Sequence, residues 1–383
     1  MARETMNPNE RVWAAIRLEK PDRVPVDILA TAAFTKTVGG TVADWYSNED
    51  KSWAAIDKVW DYTGGWDMSI IVVAMSTIAW KLALAQSMGT KLKLPGVDLP
   101  DDYTEQAVEE EVLKPEDYDT ICEIGWDKFM FQDYLFRITD LTPEGVAKAL
   151  EDQASSAFKA LEKWNNRGVM QLVPSLSTLH PFFRFSVGRS MVKFMEDLYY
   201  SPEKVEKALK LVTRESIEQW IAHCKMLNQK INFIAEERAE GFFFPLHIFE
   251  RFWWPYTMEI VDALWSEGIV TWFHLDQCWD KNIPYFKKLP RGSAILALDG
   301  TTDIFAAKEV LGGHLCLHGD VPAALLSIGK PEDVEAYCKK LIDEIGADGG
   351  FILSSGCEMP TQVKIENWRA MVQTPKNYSP AER

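Results

Sequence analysis

The chain has 383 residues, of which 47% are hydrophobic, so it can bury a large core in one large domain or two ordinary ones. Its 41 basic residues against 57 acidic ones give a formal net charge of −16, and a field of that sign repels phosphate backbones, so we expect no nucleic acid among its partners. No apolar run approaches the about 18 residues that a membrane span needs, and the N-terminus lacks the apolar stretch of a signal peptide. Six scattered cysteines are typical of reduced thiols, so we expect a cytoplasmic protein with no membrane segment.

Short apolar, β-branched runs alternate along the chain with longer amphipathic segments. Because the runs are almost continuously apolar, we interpret them as strands of a buried parallel sheet. The eight predicted strands are Val24–Ala30, Met68–Ala74, Val169–Ser175, Ile231–Glu237, Ile269–Leu275, Ala294–Asp299, His314–Asp320 and Phe351–Ser355.

The segments between the strands have the composition of helices, and three of them begin with capping signals at Thr142–Glu144, Ser201–Glu203 and Pro331–Asp333. The interval between the second and third predicted strands is too long for a single crossover, so we expect a helical insertion there. Eight strand–helix alternations predict an α/β fold, a (β/α)8 TIM barrel with an N-terminal helical extension, in one domain spanning residues 1–383. An open doubly wound sheet is the alternative, but no glycine-rich phosphate-binding motif follows an early strand.

Polar residues gather at the ends of the predicted strands, where TIM barrels have their active sites. In the stretch FHLDQCWD, His274 and Asp276 point the same way because strand side chains alternate, so the two can share a metal ion. Cys278 extends this series if the strand persists that far, and Cys357 follows the last strand, across the barrel mouth. Zinc accepts nitrogen, thiolate and carboxylate ligands. The residues alone leave a metal site and a purely structural role equally open.

Two adjacent carboxylates, Glu236 and Glu237, end the fourth predicted strand. Because side chains alternate along a strand, only one of them can face the barrel axis. We expect the other to pair with Arg238 or with a neighbouring helix.

Several stretches resemble the uroporphyrinogen decarboxylase superfamily. They are RVWAAIRLEKPDRVPVD, the Glu-Glu strand end with FFFPLHIFERFWWPY, HGDVPAALLSIGKPEDVEAYCKKLI, and GGFILSSGCEMP with ENWRAMV. They cover nearly the whole chain in the same order, and the resemblance implies the barrel fold. Decarboxylases of the superfamily carry an arginine-rich motif soon after the VPV strand, whereas this chain reads DILATAAFTKT there, without an arginine. The resemblance therefore implies the other branch, zinc-dependent methyltransferases that work with a corrinoid protein.

That branch uses a His-x-Cys pair and a distant Cys as zinc ligands. His274 matches the first ligand and Cys357 the last, whereas Asp276 stands at the middle position, with Cys278 as the alternative. Glu236 or Glu237 is expected to add an oxygen ligand or a hydrogen bond. An oxygen ligand leaves the metal more electrophilic than a thiolate does, which favours demethylation of an oxygen-bound methyl group over methylation of a thiol.

The resemblance thus implies an enzyme that moves a methyl group from a small methoxylated aromatic compound to a Co(I) corrinoid. No corrinoid-binding DxHxxG motif is present in the sequence, so we expect the corrinoid on a separate partner protein that binds transiently. His318 and Asp320 are assigned to gripping a ring hydroxyl or acting as a general acid, with plain rim residues as the alternative. Aromatic residues after the third and fourth strands can flank a planar ring, cover a corrinoid or seal the barrel. The candidates for substrate binding are Phe182, Phe183, Phe243 and Trp253.

Two other functions stay open at this point. One is transfer in the opposite direction, from a methylated corrinoid to a thiol similar to coenzyme M or to a pterin, although few Asn or Gln residues stand near strand ends to form a pterin pocket. The other is a non-catalytic barrel that docks a corrinoid protein. The sequence also leaves open whether the chain forms a homo-oligomer.

Overall fold

The computed structural model describes residues 4–70, 72–175 and 178–379. Within this part of the chain, eight short strands run parallel and alternate with helices, so the predicted α/β class is confirmed. All eight predicted strands are present, although the first three contain three residues each, and residue 71 of the second prediction lies outside the described residues. The strands are Asp27–Leu29, Met68–Ile70, Met170–Leu172, Ile231–Glu236, Val270–Leu275, Ala294–Leu298, Cys316–Val321 and Phe351–Ser355.

The eight strands follow one another in chain order around a ring. The first three form one hydrogen-bonded sheet and the last five form another. Isolated parallel bridges join the two sheets on either side, between Val26 and Leu353 and between Leu179 and Ala235. This cyclic order is that of a (β/α)8 barrel, in which the carboxyl ends of all strands meet at one rim.

Alternate residues of the strands face the inside of the ring and form an apolar core of their own. Phe233, Trp272 and Ile295 are buried there together with Val12 and Ile16 of the N-terminal helix. The residues that point outward belong to a second, larger core that lies between the strands and the surrounding helices. The N-terminal extension is therefore part of the inner core.

A cluster of ion pairs fixes the N-terminal helix to the start of the strands. The buried Arg11 guanidinium lies 2.7 Å from Oδ1 of Asp22 and 2.7 Å from Oδ1 of Asp67, which precedes the second strand. Arg23 binds the other oxygen of Asp67 at 2.7 Å, and the backbone N–H of Val26 donates to the same oxygen. The Asp67 carboxylate thus connects the helix, the first strand and the second strand.

The predicted insertion lies between the second and third strands. It contains the helices Thr77–Met88, Asp117–Ile124 and Pro143–Asn166, and a helical run over 126–138 whose centre, Met130–Tyr134, is π-helical. It also contains a short antiparallel strand pair, Leu92–Lys93 with Gln106–Ala107, which is not among the predicted strands.

Helices cover the outside of the ring. Those that begin at Pro143, Pro202 and Pro331 start at the prolines of the predicted capping signals. No helix among the described residues is long and apolar enough to cross a membrane. The helices outside the insertion are Pro8–Ile16, Ala33–Thr37, Val42–Ser47, Glu49–Thr63, Pro181–Arg189, Met191–Tyr200, Pro202–Met226, Leu246–Phe252, Trp254–Ser266, Ile283–Phe286, Ile304–Leu311, Ala323–Ile328, Pro331–Glu344 and Ile365–Asn377.

Candidate metal centre

Three of the predicted site residues meet at the carboxyl ends of the fifth and eighth strands. Nε2 of His274 lies 3.4 Å from Oδ1 of Asp276 and 3.6 Å from Sγ of Cys357. Sγ of Cys357 lies 3.6 Å from Oδ2 of Asp276. His274 and Asp276 reach the same point because they are alternate residues at the end of one strand, and Cys357 follows two residues after the eighth strand ends at Ser355.

The donor set of this cluster fits a zinc ion. A tetrahedral zinc ion with bonds of about 2.0–2.3 Å holds its ligand atoms about 3.3–3.6 Å apart. The two contacts of Asp276 use different oxygens, but one ligand atom from each of the three residues still lies within 4.8 Å of the others. Oδ1 of Asp276 is buried and has no hydrogen-bond partner among the described residues. Three protein ligands are also the number that catalytic zinc sites have, with the fourth position left for water or substrate.

The protonation of the three groups matters for metal binding, because a metal ion displaces the protons of its ligands when it binds. Burial lowers the pKa of His274, but the carboxylate of Asp276 and the thiol of Cys357 outweigh it and raise that pKa well above its usual value. Burial raises the pKa of Asp276, and the His274 imidazole lowers it by more, so the carboxyl is the stronger acid of the pair. Burial also raises the pKa of the Cys357 thiol.

Cys278, the alternative middle ligand, lies away from this cluster. The fifth strand ends at Leu275, and the chain then turns at Gln277, which has a φ of 72° and donates its backbone N–H to Oδ2 of Asp299. The strand alternation therefore stops after Asp276. The thiol of Cys278 donates to Oδ2 of Asp280 at 3.4 Å instead.

Glu236 and Glu237 face opposite sides of the fourth strand, as adjacent strand residues must. The fully buried Glu236 lies on the outer face, where its two oxygens accept hydrogen bonds from the backbone of Arg238 and Ala239 and from Nε1 of Trp253. Burial raises the pKa of Glu236 to about 8. The expectation that Glu236 belongs to the metal centre is thereby corrected, because its side chain points away from the barrel interior.

Glu237 is the carboxylate that faces the cluster. Burial raises its pKa to about 7, with a further increase from the negative charge of Asp276 and a decrease from His274. Glu237 also lines a cavity of about 540 Å³ at the rim. The remaining lining residues are Glu109, Glu110, Ser190, Met191, Val192, Arg238, Phe243 and Gln277.

The insertion contributes one wall of this cavity. Oε2 of Glu109 lies 2.7 Å from Nη2 of Arg238, and Oε1 of Glu109 accepts the backbone N–H of Met191. Both charged side chains are partly exposed, so this pair contributes little to stability, and its effect is mainly to position the insertion at the rim.

The four predicted aromatic residues are divided between the cavity and the core. Phe243 is half-buried and lines the cavity, and the Phe183 ring lies under the Arg238 guanidinium at 5.9 Å. Phe182 is fully buried in the outer core, against Phe194 and Phe244. The expectation that Phe182 contacts substrate is thus corrected.

Trp253 is likewise a core residue. It is fully buried, its ring packs 5.0 Å from the Phe249 ring and 5.3 Å from the Trp279 ring, and its N–H is bonded to Glu236. Aromatic packing between strand and helix therefore accounts for its position, and the expectation of a substrate contact is corrected.

His318 and Asp320 have different partners. Nε2 of His318 lies 2.9 Å from Oδ2 of Asp27 inside the ring, and both residues are buried. Asp320 accepts a hydrogen bond from the hydroxyl of Tyr337 on an outer helix, and burial raises the pKa of Asp320 to about 6.

Two polar residues of the interior, Asp27 and Glu358, are not among the site residues predicted from the sequence. Asp27 stands in the apolar run VPVDILA, and a single acid inside a buried strand is the signal that could have identified it. Glu358 follows Cys357, accepts a hydrogen bond from the hydroxyl of Thr31, and has a pKa that burial and the negative charge of Glu105 raise to about 7.

Comparisons with known proteins place this geometry in context. Residues 185–378 match the family described as Uroporphyrinogen decarboxylase (URO-D). A methylcobamide:CoM methyltransferase, MtbA, of Methanosarcina mazei is 29% identical over 130 residues, which are 34% of this chain and 37% of that relative. A uroporphyrinogen decarboxylase of Methylococcus capsulatus is 31% identical over 91 residues, 24% of this chain and 25% of that relative. The matched segments thus span well under two thirds of both relatives.

A solved structure, a methyltransferase from Methanosarcina mazei, superimposes with a TM-score of 0.67 and covers 97% of this chain and 99% of that chain, at 17% sequence identity. At that identity the likeness concerns the fold.

Proposed function

The chain belongs to the uroporphyrinogen decarboxylase family, and within that family we propose that it is a zinc-dependent methyltransferase, which takes a methyl group from a small methoxylated aromatic compound and passes it to the Co(I) corrinoid of a separate partner protein. The observation that carries this proposal is the convergence of His274, Asp276 and Cys357 at the rim. These three residues would hold the zinc ion.

Two features support a methyltransferase over a decarboxylase. The segment that begins with the first strand, DILATAAFTKT, has no arginine with which to bind the carboxylates of an acidic tetrapyrrole. A metal ion held by nitrogen, sulfur and oxygen ligands can act as a Lewis acid on the heteroatom that carries the methyl group. The relatives that match part of the chain include a methyltransferase that acts on a methylcobamide and CoM, which agrees with this choice.

Asp276 supports an oxygen-bound methyl group as the substrate. When bound, the zinc ion would act as a Lewis acid on the substrate oxygen, and an oxygen ligand such as Asp276 preserves that acidity better than a second thiolate does. The bond between the methyl carbon and the oxygen would break and leave its electron pair on the oxygen, while the partner's Co(I) would supply the electron pair of the new bond to the methyl group. A proton would then complete the hydroxyl group of the demethylated product.

Other residues around the rim position the substrate and exclude water. Phe243 supplies an apolar surface in the cavity beside Glu237, and Arg238 holds the insertion against it. Glu237 faces the centre, and its raised pKa suits it to hold a proton there. His318, inside the ring, is the residue we assign to proton transfer at the demethylated oxygen.

A second candidate function is methyl transfer from a corrinoid to a thiol. The printed activity of the MtbA relative, methylcobamide:CoM methyltransferase, favours it. The observation against it is that Cys357 is the single sulfur ligand of the cluster, because thiolate-rich sites suit the activation of a substrate thiol.

The test is methyl transfer to free cob(I)alamin under anaerobic conditions, measured by the change in the visible absorption of the cobalamin. The proposal expects zinc-loaded protein to form methylcobalamin and an equal amount of the demethylated phenol from 2-methoxyphenol. Formation of a methylated thiol from methylcobalamin, without reaction of any methyl ether, would establish the second candidate instead. Absence of both reactions in protein that binds a corrinoid protein would support a docking barrel.

A further inference from the structure

A layer of buried polar side chains lies inside the ring, at and just below the level of His274. Four atoms in this layer are buried and have no hydrogen-bond partner among the described residues, although buried polar atoms in folded proteins are almost always paired. They are Oδ1 of Asp27, Nε1 of Trp272, Nδ1 of His318 and Oγ of Ser354.

The strand register places this layer beside the metal centre. His274 pairs with Ala297 on the sixth strand, and Ala297 pairs with His318 on the seventh, so His274 and His318 lie at one level. Two strand spacings separate their backbones by about 10 Å. The intervening residue has only a methyl group, and Ala235, on the other side of His274, is equally small. A small molecule held at the metal centre is therefore within reach of His318.

The other members of the layer surround His318. Its Nε2 is bonded to Asp27, and its ring lies 4.5 Å from that of Trp272, which stands two residues before His274 on the same face of the strand. Val26, the neighbour of Asp27, bridges to Leu353, the neighbour of Ser354, so the two side chains belong to adjacent positions of the inner wall. All four residues of the layer are at most 3% exposed.

The unpaired atoms define the chemistry of a ligand. Asp27 Oδ1 accepts hydrogen bonds, Trp272 Nε1 donates one, and Ser354 Oγ does either. Nε2 of His318 lies 2.9 Å from Oδ2 of Asp27, and in the neutral tautomer that donates to this carboxylate, Nδ1 is an acceptor. A hydroxyl group, which both donates and accepts, complements this set. A carboxylate does not, since it would lie against the carboxyl group of Asp27.

We propose that Asp27, Trp272, His318 and Ser354 form a specificity layer that binds a neutral hydroxyl group of the substrate beside its methoxy group. This inference rests on the proposed function and narrows its substrate class to hydroxylated methyl ethers. A site built to bond a hydroxyl group rejects an analogue that lacks it, because the polar atoms of the site are then left unpaired.

The experiment compares 2-methoxyphenol, 1,2-dimethoxybenzene and methoxybenzene as substrates of the zinc-loaded protein. The first measurement is kcat/KM for methyl transfer to cob(I)alamin. The second is the affinity for each compound, measured by calorimetric titration without the corrinoid. The proposal expects at least about a 100-fold preference for 2-methoxyphenol in kcat/KM, and the same order in affinity. The variants Asp27→Asn and Ser354→Ala should each reduce that preference by about 10-fold or more.

Thr271→Val is the matched control. Thr271 is also fully buried with an unpaired hydroxyl, but it precedes Trp272 and faces the outer core, so its removal should leave the preference unchanged. Equal use of the three ethers would overturn the specificity layer and leave the proposed function standing. If none of the three ethers reacts and a thiol is methylated instead, the proposed function is overturned. If 2-methoxyphenol and methoxybenzene bind equally, or neither binds, in the titration, the specificity layer is overturned whatever the turnover.

Discussion

Sγ of Cys357 lies 3.6 Å from Nε2 of His274, although the two residues are 83 positions apart in the chain. The fold creates this contact, because the fifth and eighth strands deliver their carboxyl ends to the same rim. A contact between a thiol and an imidazole with a carboxylate beside them has an evident chemical use, whereas it adds little to the packing of the core.

The first prediction concerns the identity of the oxygen ligand. Asp276→Ala should lower the zinc content of the purified protein far more than Cys278→Ala does, because Asp276 borders both other ligands and Cys278 is bonded to Asp280. Metal analysis after identical purification measures the difference. Equal losses, or a larger loss in Cys278→Ala, would contradict the ligand assignment.

The second prediction separates activity from folding at His274. His274→Ala should abolish methyl transfer while the metal-free protein still folds, because the residue lies at the carboxyl end of its strand and not in the middle of the apolar core. Circular dichroism and the cobalamin assay measure the two effects. Methyl transfer at the wild-type rate in this variant would show that the metal centre at His274 is not needed for the reaction.

The third prediction distinguishes a cavity residue from a core residue of the same type. Phe182→Ala should lower the free energy of unfolding by about 3–5 kcal/mol, because it empties a fully buried site. Phe243→Ala should cost less stability and raise KM for the methyl ether, because that ring lines the cavity. Urea unfolding and steady-state kinetics test the pair, and the opposite assignment of effects would show that the cavity is not the substrate site.

The fourth prediction is a pH dependence of stability at the N-terminal helix. Burial raises the pKa of Asp22, but hydrogen bonds from Arg11 and from the backbone of Met6 lower it by more, to below its ordinary value of 3.8. Since the folded state has the lower pKa, the carboxylate stabilises the fold above about pH 4, and this stabilisation is lost as the pH falls further.

The Asp22→Asn variant should therefore be less stable than the wild type in urea at pH 7, and the difference should shrink towards pH 3. The ion pair of Lys148 with Asp152 on the surface supplies the control, since Asp152→Asn should have a much smaller effect at either pH. A stability difference for Asp22→Asn that is the same at pH 7 and pH 3 would contradict the linkage.

Much of this arrangement follows from sequence periodicity. Near-continuous apolar runs predict all eight strands, and strand alternation predicts that His274 and Asp276 share a direction. The turn at Gln277, which removes Cys278 from the cluster, is held by a hydrogen bond to Asp299, just after the end of the next strand, and no local pattern reveals it.

The aromatic residues show the same limit. Phe182 and Trp253 lie in stretches rich in aromatic residues after predicted strands, where a substrate site is expected. Contacts with rings that are distant in sequence, Phe244 and Trp279, place both residues in the outer core. The two glutamates at the end of the fourth strand can be assigned only once the partner is known, and that partner is Trp253 for Glu236. Each of these side-chain positions is determined by packing between residues far apart in the chain, which sequence periodicity does not encode.

The zinc content of the purified protein, combined with X-ray absorption at the zinc edge, decides whether the metal centre exists. We expect about one zinc ion per chain, bound by one sulfur atom and otherwise by nitrogen and oxygen atoms, as His274, Asp276 and Cys357 require. Protein that holds no zinc after anaerobic purification with added zinc, or zinc bound by two sulfur atoms, would contradict it.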